Sequence, residues 1–156
     1  MNLRPYTPAD NDAILALFRD TVHTIAAKDY TAPQLEAWAP DLLNAEAWCC
    51  PLAASYTLAA EREGELVGFA NLDDSGQLDR LYVHKDYQRQ GIARALCQAI
   101  EAQALLRGFQ RVYTYASITA KPFFLAQGYT LEQENIVCRA GQTLRNFQMS
   151  KGLTST

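Results

Sequence analysis

The chain has 156 residues, of which 49% are hydrophobic and 20% are charged, and its formal net charge is −3. This length and composition predict a single globular domain, residues 1–156, with a sizeable core, which excludes the disordered and fibrous classes. Because there is no basic excess, nucleic acid is not an expected partner. No apolar run approaches the ~20 residues of a membrane span and no signal-peptide pattern is found, so we expect a cytoplasmic protein with no membrane partner.

The cysteines give no sign of a metal site. Cys49, Cys50, Cys97 and Cys138 lack the spacing of zinc ligands, and the adjacent pair at 49 and 50 is not typical of a disulfide framework. Free thiols in a reducing compartment are therefore predicted, and no metal is expected.

The first half of the chain is predicted to hold a strand, a helix, a broken second helical region and a hairpin. Apolar residues at helical spacing predict the first helix, which ends near His23. The second begins at Thr31, which can cap it, and Gln34 stands where a capping box needs it. Pro40 ends this helix, and another is expected beyond it. The predicted ranges are strands at 2–6, 56–62 and 65–72 and helices at 10–23, 31–39 and 41–49.

The stretch from Gln77 to Gly108 organises the second half. Its apolar start predicts a strand, a polar turn follows, and apolar residues recur at helical spacing from about Gly91. A strand that enters a helix through a small-residue turn directs backbone N–H groups and the positive end of the helix dipole at an anion. The remaining predicted elements are a strand at 111–116, a helix at 119–127 and a hairpin of strands at 129–139 and 143–150.

The turn after the central strand reads Gln88-Arg89-Gln90-Gly91-Ile92-Ala93, and it resembles the CoA-binding motif [QR]-x-x-G-x-[GA] of the GNAT N-acyltransferase superfamily. Gly91 lets the backbone approach a phosphate closely, and Arg89 and Arg94 can add charge-assisted contacts. The resemblance implies acetyl-CoA as co-substrate. The residues expected to contact it are Leu81, Tyr82, Val83, Gln88, Arg89, Gln90, Gly91, Ile92, Ala93, Arg94, Ser117, Lys121 and Phe124.

A second segment, residues 117–129, resembles the family motif N-x-x-A-x-x-[FL]-Y-x-x-x-G-[FY]. Two positions depart from it. Ser117 replaces an Asn that bonds the pantetheine arm in relatives, and its hydroxyl has a shorter reach. Phe124 replaces a Tyr that protonates the departing thiolate in many relatives. Phenylalanine has no proton to donate, so that role is not transferred to this position.

The order β-α-α-β-β-β-α-β-α-β-β is that of the GNAT family, so the resemblance covers nearly the whole chain. It implies an α/β (mixed α+β) domain with a central, mostly antiparallel, twisted sheet and helices on both faces. It also implies direct acetyl transfer to a primary amine of a small molecule or to an exposed amino group. A backbone N–H near Leu81–Val83 would stabilise the oxyanion.

Several side chains are candidates for the base, because an alkyl amine is mostly protonated at neutral pH. Asp79 ranks first, since it lies on the strand that would position the thioester. Its alternative role is a structural ion pair with Arg80 or Arg111. The other candidate bases are His23, Glu36 and Asp41.

The proton that Phe124 cannot supply has three candidate donors in Tyr82, Tyr113 and Tyr115. The predicted catalytic residues are Asp79, Tyr82 and Ser117. The predicted acceptor pocket contains His23, Tyr30, Trp38, Phe69 and Asn71. Each aromatic residue among these has the alternative role of a core side chain.

Two other functions are considered. A non-catalytic acyl-CoA sensor or regulatory module of the same fold is the main alternative, because Phe124 leaves the usual proton-donor position empty. A nucleotide-binding protein is weaker, since neither G-x-x-x-x-G-K-[ST] nor a G-x-G-x-x-G after a strand is found. No motif identifies the amine acceptor. The C-terminal hairpin is a candidate surface for a homodimer.

Overall fold

The computed structural model describes residues 1–154, which form two antiparallel sheets flanked by helices. The strands are β1 (Asn2–Pro5), β2 (Tyr56–Arg62), β3 (Glu65–Leu72), β4 (Leu78–Val83), β5 (Arg111–Ser117), β6 (Thr130–Arg139) and β7 (Gln142–Gly152). The helices are α1 (Asn11–Ile25), α2 (Ala32–Trp38), α3 (Ala45–Ala53), α4 (Ile92–Leu106) and α5 (Lys121–Ala126). In this part of the chain, no helix is both long and apolar enough to cross a membrane. The predicted mixed α/β class is confirmed.

The central sheet is divided into two parts. One part has the order β1-β2-β3-β4 and the other the order β5-β7-β6, and every strand pair is antiparallel. A parallel bridge between Gln77 and Tyr113 joins the two parts just before β4. Beside it, Thr114 Oγ1 donates a hydrogen bond to the carbonyl of Leu78 at 2.8 Å. The two sheets are therefore held together at one end of β4 and β5.

Two clusters of buried apolar side chains hold the helices against the sheet. One includes Leu78, Leu96 and Phe124 and lies on the side of α4 and α5. The other includes Phe18 and Phe69 and lies on the side of α1, α2 and α3. Full burial of such a side chain contributes about 1.5–3 kcal/mol. The helices thus cover both faces of the sheet, as the sequence predicts.

The helical region before β2 differs from its prediction. The helix expected at 41–49 is observed at Ala45–Ala53, so three helices separate β1 from β2. The Asn44 side chain accepts a hydrogen bond from the Ala47 N–H at 3.0 Å, and this cap fixes the start of the helix. Pro51 lies inside the helix near its end. The observed helix therefore begins and ends four residues later than predicted.

Gly68 on β3 lets α4 lie close to the sheet. A Cβ at this position would come within 3.1 Å of the Ile92 and Leu96 side chains and 3.2 Å of the Tyr82 carbonyl. These approaches are closer than ordinary van der Waals contact, so a larger residue would push α4 outward. Because Gly68 pairs with Val83, this contact sets the start of α4 beside the end of β4.

An ion pair fastens β1 to the start of α1. The Arg4 guanidinium donates to both carboxylate oxygens of Asp10, at 2.9 and 2.7 Å, and lies 2.9 Å from Glu61. The Thr7 N–H also donates to Asp10 at 2.9 Å. Asp10 is 9% exposed. Its carboxylate therefore accepts most of its hydrogen bonds from within the protein.

We expect Asp10→Asn to lower the free energy of unfolding by about 1–3 kcal/mol, as lost hydrogen bonds to a charged group do. Hydrogen bonds from Arg4 lower the pKa of Asp10. Its stabilisation is therefore present above the unfolded-state pKa of about 3.9 and is lost as the pH falls through the lower folded-state value. Urea unfolding between about pH 2 and pH 7 measures both effects. A loss no larger than that of the exposed control Asp12→Asn contradicts this role.

Candidate active site

The turn between β4 and α4 forms an open cradle of backbone amides. Gly91 immediately precedes α4 and has a φ of +82°, a left-handed conformation that glycine adopts without strain. Arg89 also has a positive φ, of 60°. A Cβ built on Gly91 meets no protein atom within 4 Å. The space above this residue is therefore open to a ligand.

The first amides of α4 have no hydrogen-bond acceptor within residues 1–154. The first intrahelical bond runs from the Ala95 N–H to the Gly91 carbonyl at 3.0 Å, so the N–H groups of Ile92, Ala93 and Arg94 lie before it. The side chain preceding the helix does not cap it either. The helix has 15 residues, and its N-terminus carries the positive end of the dipole. These free donors fit a diphosphate.

Two glutamines shape this loop. The Gln88 side chain donates to the carbonyls of Val83 at 2.7 Å and His84 at 3.3 Å. The Gln90 side chain accepts a hydrogen bond from Arg62 on β2. Gln88 therefore ties the loop to the end of β4, and Gln90 ties it to the end of β2 in the same sheet. Both contacts hold the cradle in position before any ligand binds.

Arg89 and Arg94 add positive charge beside the cradle, and both line the adjoining cavity. Within residues 1–154, neither side chain forms an ion pair. A phosphate placed at the cradle could therefore receive charge-assisted hydrogen bonds from them without displacing a protein carboxylate.

β4 bends away from β5 at a β-bulge. Leu72 pairs with Leu78 and Asn71 with Arg80, so Asp79 is the extra residue on β4. The fully buried Asn71 holds this bulge, because its Oδ1 accepts from the Arg80 N–H at 2.9 Å and its Nδ2 donates to Asp79 at 3.3 Å. Beyond the bulge, no described strand pairs with the edge of β4 that faces β5. Its backbone groups are available to a ligand.

A cavity of about 1120 Å³ lies between the diverging sheets and extends from the cradle to α1, α2 and the β6–β7 hairpin. Aromatic rings pack together at one end. The ring of Phe18 lies 4.5 Å from that of Trp48 and 5.0 Å from that of Tyr82, and Tyr82 lies 5.7 Å from Phe69. The cavity therefore joins a polar, amide-lined end to an aromatic end.

Tyr82 lines this cavity from β4. Burial raises the pKa of its hydroxyl to about 12, while a hydrogen bond with Trp38 and the charges of Arg80 and Arg139 act in the opposite direction. The hydroxyl is therefore protonated at neutral pH. It can act as a hydrogen-bond donor at the aromatic end of the cavity.

Ser117 and Asn146 lie opposite each other on β5 and β7, and both line the cavity. Ser117 Oγ accepts a hydrogen bond from the Ala120 N–H at 3.1 Å, which leaves its own hydrogen free to donate. The Asn146 Oδ1 is buried and has no hydrogen-bond partner in the described chain. Because a buried acceptor without a partner costs about 1–3 kcal/mol, a ligand N–H or O–H that reaches this oxygen is favoured.

Phe124 and Lys121 on α5 have different environments. Phe124 is 3% exposed, lines the cavity, and packs 5.1 Å from the rings of Phe123 and Tyr129. The Lys121 ammonium lies 4.4 Å from the centre of the Phe147 ring and is not among the groups that line the cavity. Contact between Lys121 and the cofactor stays a prediction.

Comparison with protein-family models matches residues 26–151 to the acetyltransferase (GNAT) domain. The chain belongs to the GNAT acetyltransferase family. The uncharacterised N-acetyltransferase YafP of Escherichia coli K12 is 33% identical over 150 residues, which cover 96% of this chain and 94% of YafP. The resemblance found in the two motifs is confirmed, and this GNAT protein is an N-acetyltransferase.

Solved structures agree with the GNAT fold. A GCN5-related N-acetyltransferase from Rhodopseudomonas palustris is 36% identical, with a TM-score of 0.94 over 97% of this chain and 95% of that chain. The PaiA N-acetyltransferase from Thermoplasma acidophilum, in complex with coenzyme A, is 18% identical, with a TM-score of 0.80 over 97% of this chain and 98% of that chain. The second likeness concerns the fold alone.

Only some of the residues predicted for the acceptor pocket of this GNAT protein line the cavity. Tyr30 and Trp38 line the cavity, whereas His23, Phe69 and Asn71 do not. His23 Nε2 lies 2.7 Å from the Ala39 carbonyl. Phe69 and Asn71 are fully buried, beneath the aromatic wall and the bulge respectively. Direct contact of any of these residues with the acceptor stays a prediction.

Among the candidate bases of this GNAT protein, Asp79 lines the cavity and the other three do not. Glu36 accepts a hydrogen bond from the Asp41 N–H at 3.1 Å, outside the cavity. The Arg80 Nε lies 3.9 Å from Asp79, which is too long for a hydrogen bond. Arg111 lies 3.6 Å from Glu132 instead. Asp79 is therefore only weakly paired and faces the cavity.

The two other tyrosines proposed as proton donors lie on β5. Tyr113 is hydrogen-bonded to Ser75, with 2.5 Å between the two oxygens, and is not part of the cavity wall. Tyr115 lines the cavity and is 44% exposed. Tyr82 and Tyr115 therefore stay as candidates by position.

Sequence analysis of this GNAT protein missed the charge of the cavity wall. Among residues 1–154, one acidic residue and six basic residues line it, namely Asp79 and Lys28, Arg80, Arg89, Arg94, Arg139 and Arg145. Only the two at the cofactor motif were predicted. Arg139 and Arg145 lie on β6 and β7 near the hairpin turn, where the sequence carries no motif. They line the same cavity as β4 although they are distant from it in the chain.

Proposed function

We propose that this protein transfers the acetyl group of acetyl-CoA directly to a primary amine. The observation that carries this proposal is the set of free amides at the start of α4, located beside the unpaired edge of β4. If the α4 amides bind the diphosphate of acetyl-CoA, the thioester at the other end of the molecule can reach the opening beside β4. The CoA complex of the PaiA N-acetyltransferase, which has the same fold, agrees with this choice of ligand.

In this proposal, the diphosphate of CoA binds to the N–H groups of Ile92, Ala93 and Arg94 and to the guanidinium groups of Arg89 and Arg94. The pantetheine arm follows the edge of β4. Ser117 and Asn146 lie across the opening, where a serine hydroxyl and a buried amide oxygen can bond the amide groups of the arm. Asn146 thus supplies a side-chain amide in place of the Asn that the family motif has at the position of Ser117.

Asp79 is proposed to take the proton from the amine as it attacks. The carboxylate lies on the bulge, faces the cavity, and receives one weak hydrogen bond from Asn71 at 3.3 Å. A backbone N–H on the free edge of β4 stabilises the negative charge that forms on the carbonyl oxygen. In this proposal, the acceptor amine, the Asp79 carboxylate and the acetyl group lie together beside β4.

Tyr82 is proposed to hydrogen-bond the departing thiolate. Its pKa of about 12 keeps the hydroxyl protonated while the sulfur gains charge. A thiol has a pKa of about 8.5, so the thiolate leaves without needing a strong acid. This accounts for turnover despite the phenylalanine at position 124.

Tyr82→Phe is expected to lower kcat by about 100-fold, within the range of general acid catalysis, and to leave the KM for acetyl-CoA nearly unchanged. Because the pKa of Tyr82 is about 12, the shape of the pH profile between about pH 6 and 9 should not change. Steady-state thiol release measures all three quantities. The matched control is Tyr113→Phe, which removes a hydroxyl outside the cavity. Equal losses in the two variants contradict the role of Tyr82.

The proposal as a whole is tested by thiol release from acetyl-CoA over a panel of primary amines, together with thermal shift on adding CoA. Stabilisation by CoA together with amine-dependent thiol release supports the enzyme. If CoA stabilises the protein but no amine causes thiol release, the acyl-CoA sensor is favoured. That alternative rests on the phenylalanine at position 124, where many relatives have a proton-donating tyrosine. Absence of both effects contradicts the proposed function.

A further inference from the structure

Arg80 occupies an unusual place in the cavity wall. Its side chain is 19% exposed, and the guanidinium stacks 3.8 Å above the Trp48 ring. Of its five N–H groups, the structure of residues 1–154 gives one a hydrogen bond, from Nη1 to the Trp48 carbonyl at 2.6 Å. Burial lowers the pKa of this guanidinium, and Asp79 acts in the opposite direction. A half-buried cation is thus left with most of its donors unused.

A second cation faces the same space. Arg139, from the end of β6, lines the cavity and forms no ion pair within residues 1–154. Its positive charge also acts to lower the pKa of Arg80. Arg145, by contrast, is paired with Glu134. The cavity wall therefore holds the guanidinium groups of Arg80 and Arg139, and among residues 1–154 Asp79 is the one carboxylate that lines it with them.

Like charges that face one cavity repel each other, and an anion bound between them offsets that repulsion. Asp79 cannot be that anion for both arginines, because one carboxylate does not neutralise two guanidinium groups and its oxygen lies 3.9 Å from the Arg80 Nε, beyond hydrogen-bond distance. The diphosphate of the cofactor does not serve either, since Arg89, Arg94 and the α4 amides are placed to bind it. The acceptor molecule is the remaining source of negative charge.

We propose that the amine acceptor carries an anionic group, a carboxylate, which binds between Arg80 and Arg139. This inference rests on the proposed acetyl transfer and names its substrate class, amino acids and related amino carboxylates. The adjacent positions of Asp79 and Arg80 suit such a molecule. The carboxylate of Asp79 receives its amine, the two guanidinium groups receive its carboxylate, and the aromatic wall packs against its side chain. Polyamines have no carboxylate, and the two guanidinium groups would repel them.

The test compares amines that differ by one carboxylate. Suitable pairs are L-phenylalanine with 2-phenylethylamine and L-methionine with 3-(methylthio)propylamine, and aminomethylphosphonate with methylamine adds an anion of different geometry. Thiol release gives kcat/KM at saturating acetyl-CoA, and calorimetric titration of each compound into the enzyme gives binding without turnover. The carboxylate-bearing member of at least one pair is expected to exceed its partner about 10- to 100-fold.

Arg139→Gln is expected to remove most of that preference, by lowering kcat/KM for the acid and leaving that for the plain amine within about twofold. Arg139 is exposed, so this variant should fold, and Arg80→Lys tests the stacked cation while keeping its charge. Neither variant should alter the Kd of CoA. Arg107→Gln, at the far end of α4 beside Tyr56, is the matched control and should change nothing.

Equal or better use of the plain amines in every pair overturns the inference, and so does an equal loss for both members in Arg139→Gln. Such results leave the acetyltransferase itself intact. Failure of the proposed function is recognised separately, because the protein would then not be stabilised by CoA. Even in that case, the direct titrations decide whether carboxylates bind at the two arginines. Preference for the phosphonate alone also overturns the assignment of a carboxylate.

Discussion

The Gly91→Glu variant is expected to bind CoA at least about 100-fold more weakly than the native protein. The new carboxylate would enter the open space above residue 91, where a Cβ meets no protein atom within 4 Å. Two like charges about 4 Å apart repel by about 4 kcal/mol at a protein surface, which is more than a 100-fold change in Kd. Isothermal titration with CoA measures this change.

Gly108→Glu is the matched control for that variant. Gly108 follows the other end of α4, has a φ of +89°, and also has no protein atom within 4 Å of a built Cβ. Both variants carry the same left-handed strain of about 1–2 kcal/mol. Only the first is expected to lose CoA affinity. An unchanged Kd for Gly91→Glu, or an equal loss of CoA affinity in the two variants, would show that the turn at Gly91 does not bind CoA.

Asp79→Asn is expected to lower kcat by about 100- to 10,000-fold when the acceptor amine is mostly protonated, the range typical of a general base. The loss should shrink as the pH approaches the amine pKa of about 10.4, because the amine then reaches the site already neutral. The amide side chain keeps the size of the carboxylate and can still bond Asn71. Thiol release measured across this pH range reports the effect.

Asp74→Asn gives the comparison for this second variant, since Asp74 is an exposed carboxylate of the turn before β4. It should retain native kcat. If Asp79→Asn keeps the native pH profile, Asp79 is a structural residue of the bulge and the base lies elsewhere. A change confined to the KM of the acceptor would assign Asp79 to binding the ammonium group.

The strand, turn and helix around Gly91 could be predicted from the sequence because their determinants are local. Gly91, the preceding strand and the following helix are neighbours in the chain, and the conformation of the turn depends mainly on that short segment. The family, the mixed α/β class and the helices on both faces were predicted correctly for the same reason. Periodic apolar residues and turn residues identify each element separately.

The arginine-lined and aromatic part of the cavity could not be predicted, because it is built from residues far apart in the chain. Arg80 on β4 and Arg139 on β6 line one cavity, although 59 positions separate them in the chain. Asn146 lies opposite Ser117 because β7, and not β6, pairs with β5. The bulge at Asp79 depends on a buried Asn71 that, in sequence, looked like a pocket residue. The cytoplasmic location and the homodimer stay predictions.

The most direct test of the central claim is an amide chemical-shift titration of the isotopically labelled protein with CoA and, separately, with pantetheine. We predict that CoA shifts the backbone amides of residues 89–94 most strongly. Pantetheine lacks the diphosphate and should shift residues of β4 while leaving 89–94 nearly unchanged. If saturating CoA leaves the chemical shifts of the Ile92, Ala93 and Arg94 amides unchanged, the start of α4 does not bind the cofactor.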